Sequence, residues 1–62
     1  NSASGEAENC QGVIYLLEDD YDNAEKHLRK AQAAGIESAT INLEELDKKR
    51  SNALLIESKK LK

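Results

Sequence analysis

The chain has 62 residues, of which 39% are apolar and 34% charged, and its net charge is −3. A chain of this length buries only about 60% of the surface that it exposes when unfolded, so it forms one small domain with a marginal core. Its single cysteine excludes an internal disulfide framework and a Cys/His metal cluster, and no apolar run approaches the roughly 18 residues of a membrane-spanning helix. Because Pro, Phe and Trp are absent and glycines are few, the composition predicts an all-α fold.

Charge divides the chain into an acidic body and a basic end. Residues 1–47 contain eleven acids and three bases, whereas residues 48–62 contain six bases and one acid. An acidic body repels a phosphate backbone, and no aromatic side chain lies among the terminal bases to stack on a nucleobase. The pattern therefore predicts no nucleic-acid partner and is typical of a solvated helix end.

The first predicted helix runs from about Gly5 to Glu18, with Ser4 as its N-cap. The predicted first turn contains the acids that the helix dipole favours there, Glu6 and Glu8. Gly12 lies in the helix interior, where glycine costs about 1 kcal/mol relative to alanine. We therefore expect another backbone to approach the helix closely at Gly12.

Apolar residues recur along this helix at spacings of three and four. The stripe that they form consists of Ala7, Cys10, Ile14 and Leu17. Such a stripe is expected to pack on a neighbouring helix, which makes Cys10 a small core residue. Val13 and Leu16 widen the stripe, so both sides of the helix are expected to contact something.

The acids from Glu18 to Asp20 interrupt this apolar pattern. Either Asp19 or Asp20 can cap the next helix or adopt the left-handed conformation of a tight reversal. Together with Asp22 the run is rich in carboxylates, but it lacks the glycine and the distant bidentate glutamate of a calcium loop. It therefore predicts a turn and no metal site.

The second predicted helix runs from about Tyr21 to Ala34 and has a narrow apolar stripe. The stripe consists of Tyr21, Ala24, Leu28 and Ala31. Its two alanines allow a facing helix to come close. The exposed side has opposite charges one turn apart, in the pairs Asp22 with Lys26 and Glu25 with Arg29. Gly35 is placed to end this helix in the left-handed conformation, with Ile36 folding back as in a Schellman motif.

The third segment, from Ile36 to Lys62, has no internal glycine or proline and predicts one more helix, with one apolar and one charged face. Its candidate N-caps are Ser38, Thr40 and Asn42. The predicted apolar face consists of Ala39, Leu43, Leu46 and Ala53, with the stem of Arg50 between them.

The run Leu54-Leu55-Ile56 cannot face one side of a helix as a whole. The preferred interpretation is the exposed end of the third helix, or a stretch covered by another part of a longer protein, since exposed apolar residues are ordinary. The alternatives are a dimer contact or, with Lys59, Lys60 and Lys62, a basic amphipathic segment on a membrane surface.

The spacing in the first two helices resembles a known family. Gly12-x-x-Tyr15, followed by Asp20-Tyr21-x-x-Ala24-x-x-x-Leu28-x-x-Ala31, is similar to one tetratricopeptide repeat over residues 5–36. The resemblance implies an antiparallel helical hairpin over residues 1–36 and a capping helix over residues 37–62, the last unit of an α-α superhelix. The sequence departs from the family pattern in lacking an aromatic residue, a leucine, a turn glycine and a proline at Glu8, Gln11, Asp19 and Ile36.

Enzymatic chemistry has little support in the sequence. The only histidine, His27, lies next to Leu28 and is interpreted as a half-buried structural residue. Cys10 could approach it if the two helices pair, and a cysteine nucleophile needs such a base. Because no oxyanion donor, phosphate loop or metal set accompanies them, we predict no enzyme, no catalytic residue and no cofactor.

Two functions remain. The resemblance implies an interaction or scaffold module whose first helix presents a face to a protein or peptide, and by register that face is Glu6, Asn9, Val13 and Leu16. The alternative is a purely structural spacer or array cap in a multi-domain bacterial protein, with no ligand of its own. Because the chain begins at Asn1, we expect a piece of a longer protein or a processed product. Since stable stacks need about three repeats, we also expect it to be modestly stable, to self-associate or to pack on the rest of a longer chain.

Overall fold

The computed structural model describes residues 2–60, with the side chains of residues 4–56. The chain forms three helices, α1 (Ser2–Leu17), α2 (Tyr21–Ala33) and α3 (Glu37–Lys60). Residues 2–60 contain no strand, so the predicted all-α fold of a helical hairpin followed by a third helix is confirmed. None of these helices is long and apolar enough to cross a membrane. The terminal bases Lys59, Lys60 and Lys62 lie outside the described side chains.

Helices α1 and α2 pack closely side by side and run antiparallel, since Gly5 contacts Ala34 while Gly12 contacts Leu28. Helix α3 runs antiparallel to α2, packs mainly on it and also contacts α1. The fully or almost fully buried residues lie between the helices, and they are Leu16, Ala24, Leu28, Ala31, Ala39 and Leu46. Tyr15, Tyr21 and Leu43 are partly buried against this core.

The expected close approach at Gly12 is confirmed. A Cβ atom at this position would lie 2.6 Å from Cγ of Leu28 and 3.2 Å from its backbone nitrogen. Leu28 is completely buried, so it has no free space into which to move. Two turns earlier, a Cβ atom on Gly5 would lie 2.8 Å from Cβ of Ala34. Gly5, which is predicted only as the start of the helix, therefore belongs to the same contact surface.

The reversal between α1 and α2 uses both aspartates that were predicted for it. Asp19 is left-handed, with φ of 62°, and its N–H donates to the carbonyl of Leu16 at 3.1 Å. The N–H of Asp20 donates to the carbonyl of Tyr15 at 2.9 Å, which completes a Schellman motif with aspartate in place of glycine. Asp20 then caps α2, because its carboxylate accepts from the N–H of Asn23 at 3.4 Å.

The predicted end of α2 is confirmed as a second Schellman motif. Gly35 has φ of 88°, and its N–H donates to the carbonyl of Gln32 at 3.0 Å. The N–H of Ile36 reaches back to the carbonyl of Ala31 at 3.1 Å. This leaves only a short connection before α3 begins.

The predicted start of α1 is wrong. The helix begins at Ser2, so Ser4 lies inside it and is not the N-cap, and Glu6 and Glu8 lie beyond the first turn. Since no proline precedes Ser4, nothing in the local sequence stops the helix from extending toward the N-terminus.

The predicted caps of α3 are also wrong, because the helix begins at Glu37, ahead of all three candidates. Their side chains bind the other helices instead. Ser38 Oγ accepts from Asn9 at 3.1 Å, Thr40 Oγ1 accepts from Gln32 at 3.1 Å, and Asn42 donates to Asn9 Oδ1 at 3.0 Å. Residue types that suit an N-cap serve here to attach α3 to the hairpin.

Substitution of Gly12 by alanine should lower the free energy of unfolding by about 1 kcal/mol, because overpacking typically costs about 1–3 kcal/mol and alanine recovers about 1 kcal/mol of helix propensity. Denaturant unfolding followed by far-UV circular dichroism measures the difference. The control is Cys10→Ala on the exposed side of the same helix, which should stay within about 0.5 kcal/mol of the parent. A more stable Gly12→Ala variant would contradict the close contact with Leu28.

Substitution of Asp19 by glycine should raise the free energy of unfolding by about 0.5–1 kcal/mol, because glycine avoids the left-handed penalty of about 1–2 kcal/mol that aspartate only partly relieves. Asp19→Ala should lower it for the same reason. Asp19→Asn removes the charge but tolerates the conformation, so it should be nearly neutral in the same denaturation experiment. Equal effects of the glycine and asparagine variants would show that charge, and not backbone strain, limits this turn.

Candidate functional site

The outer face of α1 is the side turned away from α2, and it is the main apolar surface that the hairpin leaves open. It consists of Glu6, Ala7, Cys10, Val13, Ile14 and Leu17. Leu17 is 74% exposed and Ile14 is 49% exposed. The apolar stripe is predicted to pack on a neighbouring helix, with Cys10 as a core residue, but Ile14 and Leu17 face outward. Cys10 is exposed, so its assignment to the core is wrong.

The glycines explain why this stripe points outward. Each residue turns a helix by about 100°, so Ile14 lies roughly opposite Gly12 around α1. The two backbones can approach closely only on the side where Gly5 and Gly12 have no side chain. Because α2 occupies that side, the larger apolar residues on the opposite side stay exposed. The seven-residue spacing of the two glycines was the signal that would have identified the buried side from sequence.

The structure separates the four residues of the face implied by the resemblance. Glu6 is exposed and Val13 is half-buried, both at the edge of the outer face. Asn9 donates to Ser38 and accepts from Asn42, so its amide is bound to α3. Leu16 is only 6% exposed and belongs to the core. The four residues therefore do not form one open surface.

A polar cluster between α1 and α2 joins Glu8, His27 and Tyr15. His27 Nδ1 lies 2.6 Å from Glu8 Oε2, and the imidazole stacks on the Tyr15 ring with centroids 5.3 Å apart. An ionised carboxylate can only accept, so Nδ1 bears the hydrogen. The hydrogen bond from His27 is the main cause that lowers the pKa of Glu8 from its usual 4.5, with Lys30 and Lys26 adding to it. Cys10 points away from this cluster, and His27 is half-buried as predicted.

A second cluster ties α3 to the first turns of α2. Arg50 donates to Glu25 Oε1 at 3.1 Å and to Asp22 Oδ1 at 3.0 Å. Arg29 contacts Glu25 at 2.7 Å, which confirms that predicted pair, whereas Asp22 binds Arg50 and not its predicted partner Lys26. Hydrogen bonds from these two guanidinium groups lower the pKa of Glu25, and Arg29 has the larger effect.

An open apolar groove of about 340 Å³ lies beside this cluster, between the start of α2 and the second half of α3. Its lining residues are Tyr21, Arg50, Ala53 and Leu54. From Leu54 onward, the run Leu54-Leu55-Ile56 is exposed by 54–68% per residue. The groove is therefore continuous with an exposed apolar stretch of α3.

The acids of the reversal have structural partners. Asp20 caps α2 and binds the side chain of Asn23 at 2.8 Å, and Asp19 accepts from the Tyr21 hydroxyl at 3.3 Å. Within the described part of the chain, no three histidine, cysteine or acidic side chains are grouped so that they could hold a metal ion.

Comparisons of the chain with protein-family models, with curated proteins and with solved structures found no match. The resemblance to a tetratricopeptide repeat therefore stays a prediction from residue spacing. The function has to be argued from the surfaces that the three helices expose.

Acid should weaken the contact between Glu8 and His27. The lowered pKa of Glu8 means that its stabilising contribution is present above pH 4.5 and is lost as the pH falls through the lower, folded-state pKa. Denaturant unfolding should therefore be measured from neutral pH to pH 3, a range of about 4 pH units. Over this range the free energy of unfolding should fall less for Glu8→Gln than for the parent, because the variant lacks the ionised carboxylate at every pH.

The matched control for this experiment is Glu6→Gln, which removes an exposed acid from the same helix. It should keep the acid sensitivity of the parent. If Glu8→Gln and Glu6→Gln gave the same pH profile, the pair between Glu8 and His27 would not contribute to stability.

Proposed function

We propose that the chain is a protein-interaction or scaffold unit, a tetratricopeptide-like hairpin with a capping helix that presents α1 to a protein or peptide. The observation that supports this proposal is the outer face of α1, where Ile14 and Leu17 are exposed by 49% and 74%. Single exposed apolar residues are ordinary, but these lie at helical spacing with Ala7 and Cys10 as one stripe.

A stripe of this kind suits a helical partner. Apolar residues at spacings of three and four are the contacts that amphipathic helices use when they pair or lie in a groove. α1 spans sixteen residues, or about 24 Å at 1.5 Å per residue, which is enough to lie along several turns of another helix. The partner in this proposal is therefore an amphipathic helix that lies along α1.

The charges beside the stripe favour a basic partner. Residues 1–25 contain seven acids and no lysine or arginine, and Glu6 and Glu18 are both exposed next to the stripe. Lys26 and Lys30 on α2 lie near Glu8, on the opposite edge of α1. Complementary charge favours an amphipathic helix with lysine or arginine beside its apolar residues.

The structural spacer or array cap is the second candidate, and one observation favours it. Asn9 and Leu16, half of the face implied by the resemblance, are engaged by α3 or by the core. A peptide could use that face only if α3 moved away. α3 therefore covers the surface that contains Asn9 and Leu16. A unit whose surface is covered in this way is suited to act as a spacer.

Titration of the ¹⁵N-labelled chain with two synthetic amphipathic peptides tests the proposal. The peptides share one apolar pattern, and one has lysine and the other glutamate beside it. The lysine peptide should shift the amides of the outer face of α1 and bind at least about tenfold more tightly, or about 1.4 kcal/mol. Leu17→Glu should abolish the shifts, whereas Ile41→Glu, the same change at an exposed position of α3, should not.

Shifts confined to the neighbourhood of Asn9 and Leu16 would place the binding surface on the other side of α1 and contradict the outer face. No shifts with either peptide would favour the structural spacer.

A further inference from the structure

We propose that the outer face of α1 binds a second copy of this chain through the exposed end of α3, at Leu54-Leu55-Ile56. This inference rests on the proposed function and names the partner of the same surface. It makes the chain a self-associating unit in which two different surfaces, one on α1 and one on α3, meet between copies.

The length of α3 makes its end accessible to another copy. α3 has 24 residues and α2 has 13, or about 36 Å and 20 Å at 1.5 Å per residue. Arg50 binds Asp22 and Glu25 in the first turns of α2. Because the two helices are antiparallel, α3 passes the start of α2 soon after Arg50. The molecule is correspondingly elongated, measuring 48 × 16 × 12 Å. α3 beyond the groove with Tyr21 thus extends past α2.

The stretch of α3 that begins at the groove and leads past α2 starts with three apolar residues. Leu54, Leu55 and Ile56 are 68%, 60% and 54% exposed, although three consecutive residues point in different directions around a helix. Their exposure matches that of Ile14 and Leu17 on the outer face of α1. Burial of apolar surface on both sides of such a contact is favourable. The two surfaces hold five of the six large apolar side chains that are exposed in the described part of the chain.

Charge selects the pairing of α1 with α3 over either surface with itself. Residues 1–25 contain seven acids and no lysine or arginine, whereas residues 48–62 contain six bases and one acid. Two outer faces of α1 would bring Glu6 and Glu18 of both copies together, whereas the sequence around the exposed run of α3 is basic. Only the contact of α1 in one copy with α3 in the other joins opposite charges. Opposite charges favour this pairing over the pairing of either surface with itself.

The size of the contact predicts weak association. A stable interface covers about 800 Å² on each partner, and a few side chains on α1 and α3 supply less than that. We therefore expect association at high micromolar concentrations, weakened by salt because part of it is electrostatic. Reciprocal contacts would close a dimer, and non-reciprocal contacts would add further copies end to end.

Sedimentation equilibrium of the reduced chain tests the proposal. The parent should associate, and Leu17→Glu and Leu55→Glu should each weaken association at least about tenfold, or about 1.4 kcal/mol. Ile41→Glu, an equally exposed leucine-sized position near the start of α3, is the control and should associate like the parent. An equimolar mixture of the two weakened variants should associate again, since each supplies the surface that the other lacks.

The pattern of the variants separates the alternatives. If only Leu17→Glu weakens association, two α1 helices pair; if only Leu55→Glu does so, two α3 ends pair; either result overturns the mixed contact. Association of the mixture no stronger than that of each variant alone also overturns it.

The only cysteine provides an independent measurement, because Cys10 is exposed in the centre of the outer face. A paramagnetic label on Cys10, mixed with an unlabelled ¹⁵N copy, should broaden the amides of Leu54 to Ile56 in that copy. Broadening at Ile14 and Leu17 instead would show a contact between two α1 helices and overturn the proposal.

Failure of this inference can be told apart from failure of the proposed function. A chain that stays monomeric but binds the lysine peptide on the outer face keeps the proposed function and rules out the second copy as partner. A chain that stays monomeric and binds neither peptide contradicts both.

Discussion

The contact between Gly12 and Leu28 decides which side of each helix is buried. Leu28 fills the space that a side chain at position 12 would need, so α1 and α2 approach until their backbones nearly touch. This approach is possible on one side of α1 only. Once α2 occupies that side, the apolar stripe with Ile14 and Leu17 has to face outward. The missing side chains of Gly12 and Gly5 thus fix the buried side of α1 and leave the apolar stripe on its other side exposed.

The third helix is attached in a different way. Among the described side chains of α3, those of residues 37–56, Ala39 and Leu46 are fully or almost fully buried, and polar contacts make up much of the remaining attachment. Asn9 binds α3 near its start, and Arg50 binds the acids of α2 near its middle. Among the side chains of residues 4–56, no buried polar atom lacks a hydrogen-bond partner. Since partly exposed polar contacts are individually weak, α3 is the helix most easily separated from the other two.

The sequence predicts local features better than it predicts which surfaces meet. Asp19, Asp20 and Gly35 act within one or two turns of their own position, so their conformations follow from the neighbouring residues. The choice between the two apolar sides of α1 depends on α2, and the apolar pattern of α1 does not show it; only the spacing of Gly5 and Gly12 does. The predicted caps of α3 failed for the same reason, because hydroxyl and amide groups that suit a helix end bind a neighbouring helix equally well. The exposure of Cys10 follows from the same choice of side.

The parallel course of α1 and α3 has a geometric consequence for any longer polypeptide. In a two-helix hairpin the first and last residues lie at the same end of the unit. In a three-helix unit they lie at opposite ends. Here α3 also extends past the start of α2. The start of α1 and the end of α3 are therefore separated along the long dimension of the molecule, which is 48 Å. Polypeptide segments joined to the start of α1 and to the end of α3 would be kept apart by the length of the helical unit. The unit would set the distance between them even where it bound nothing itself.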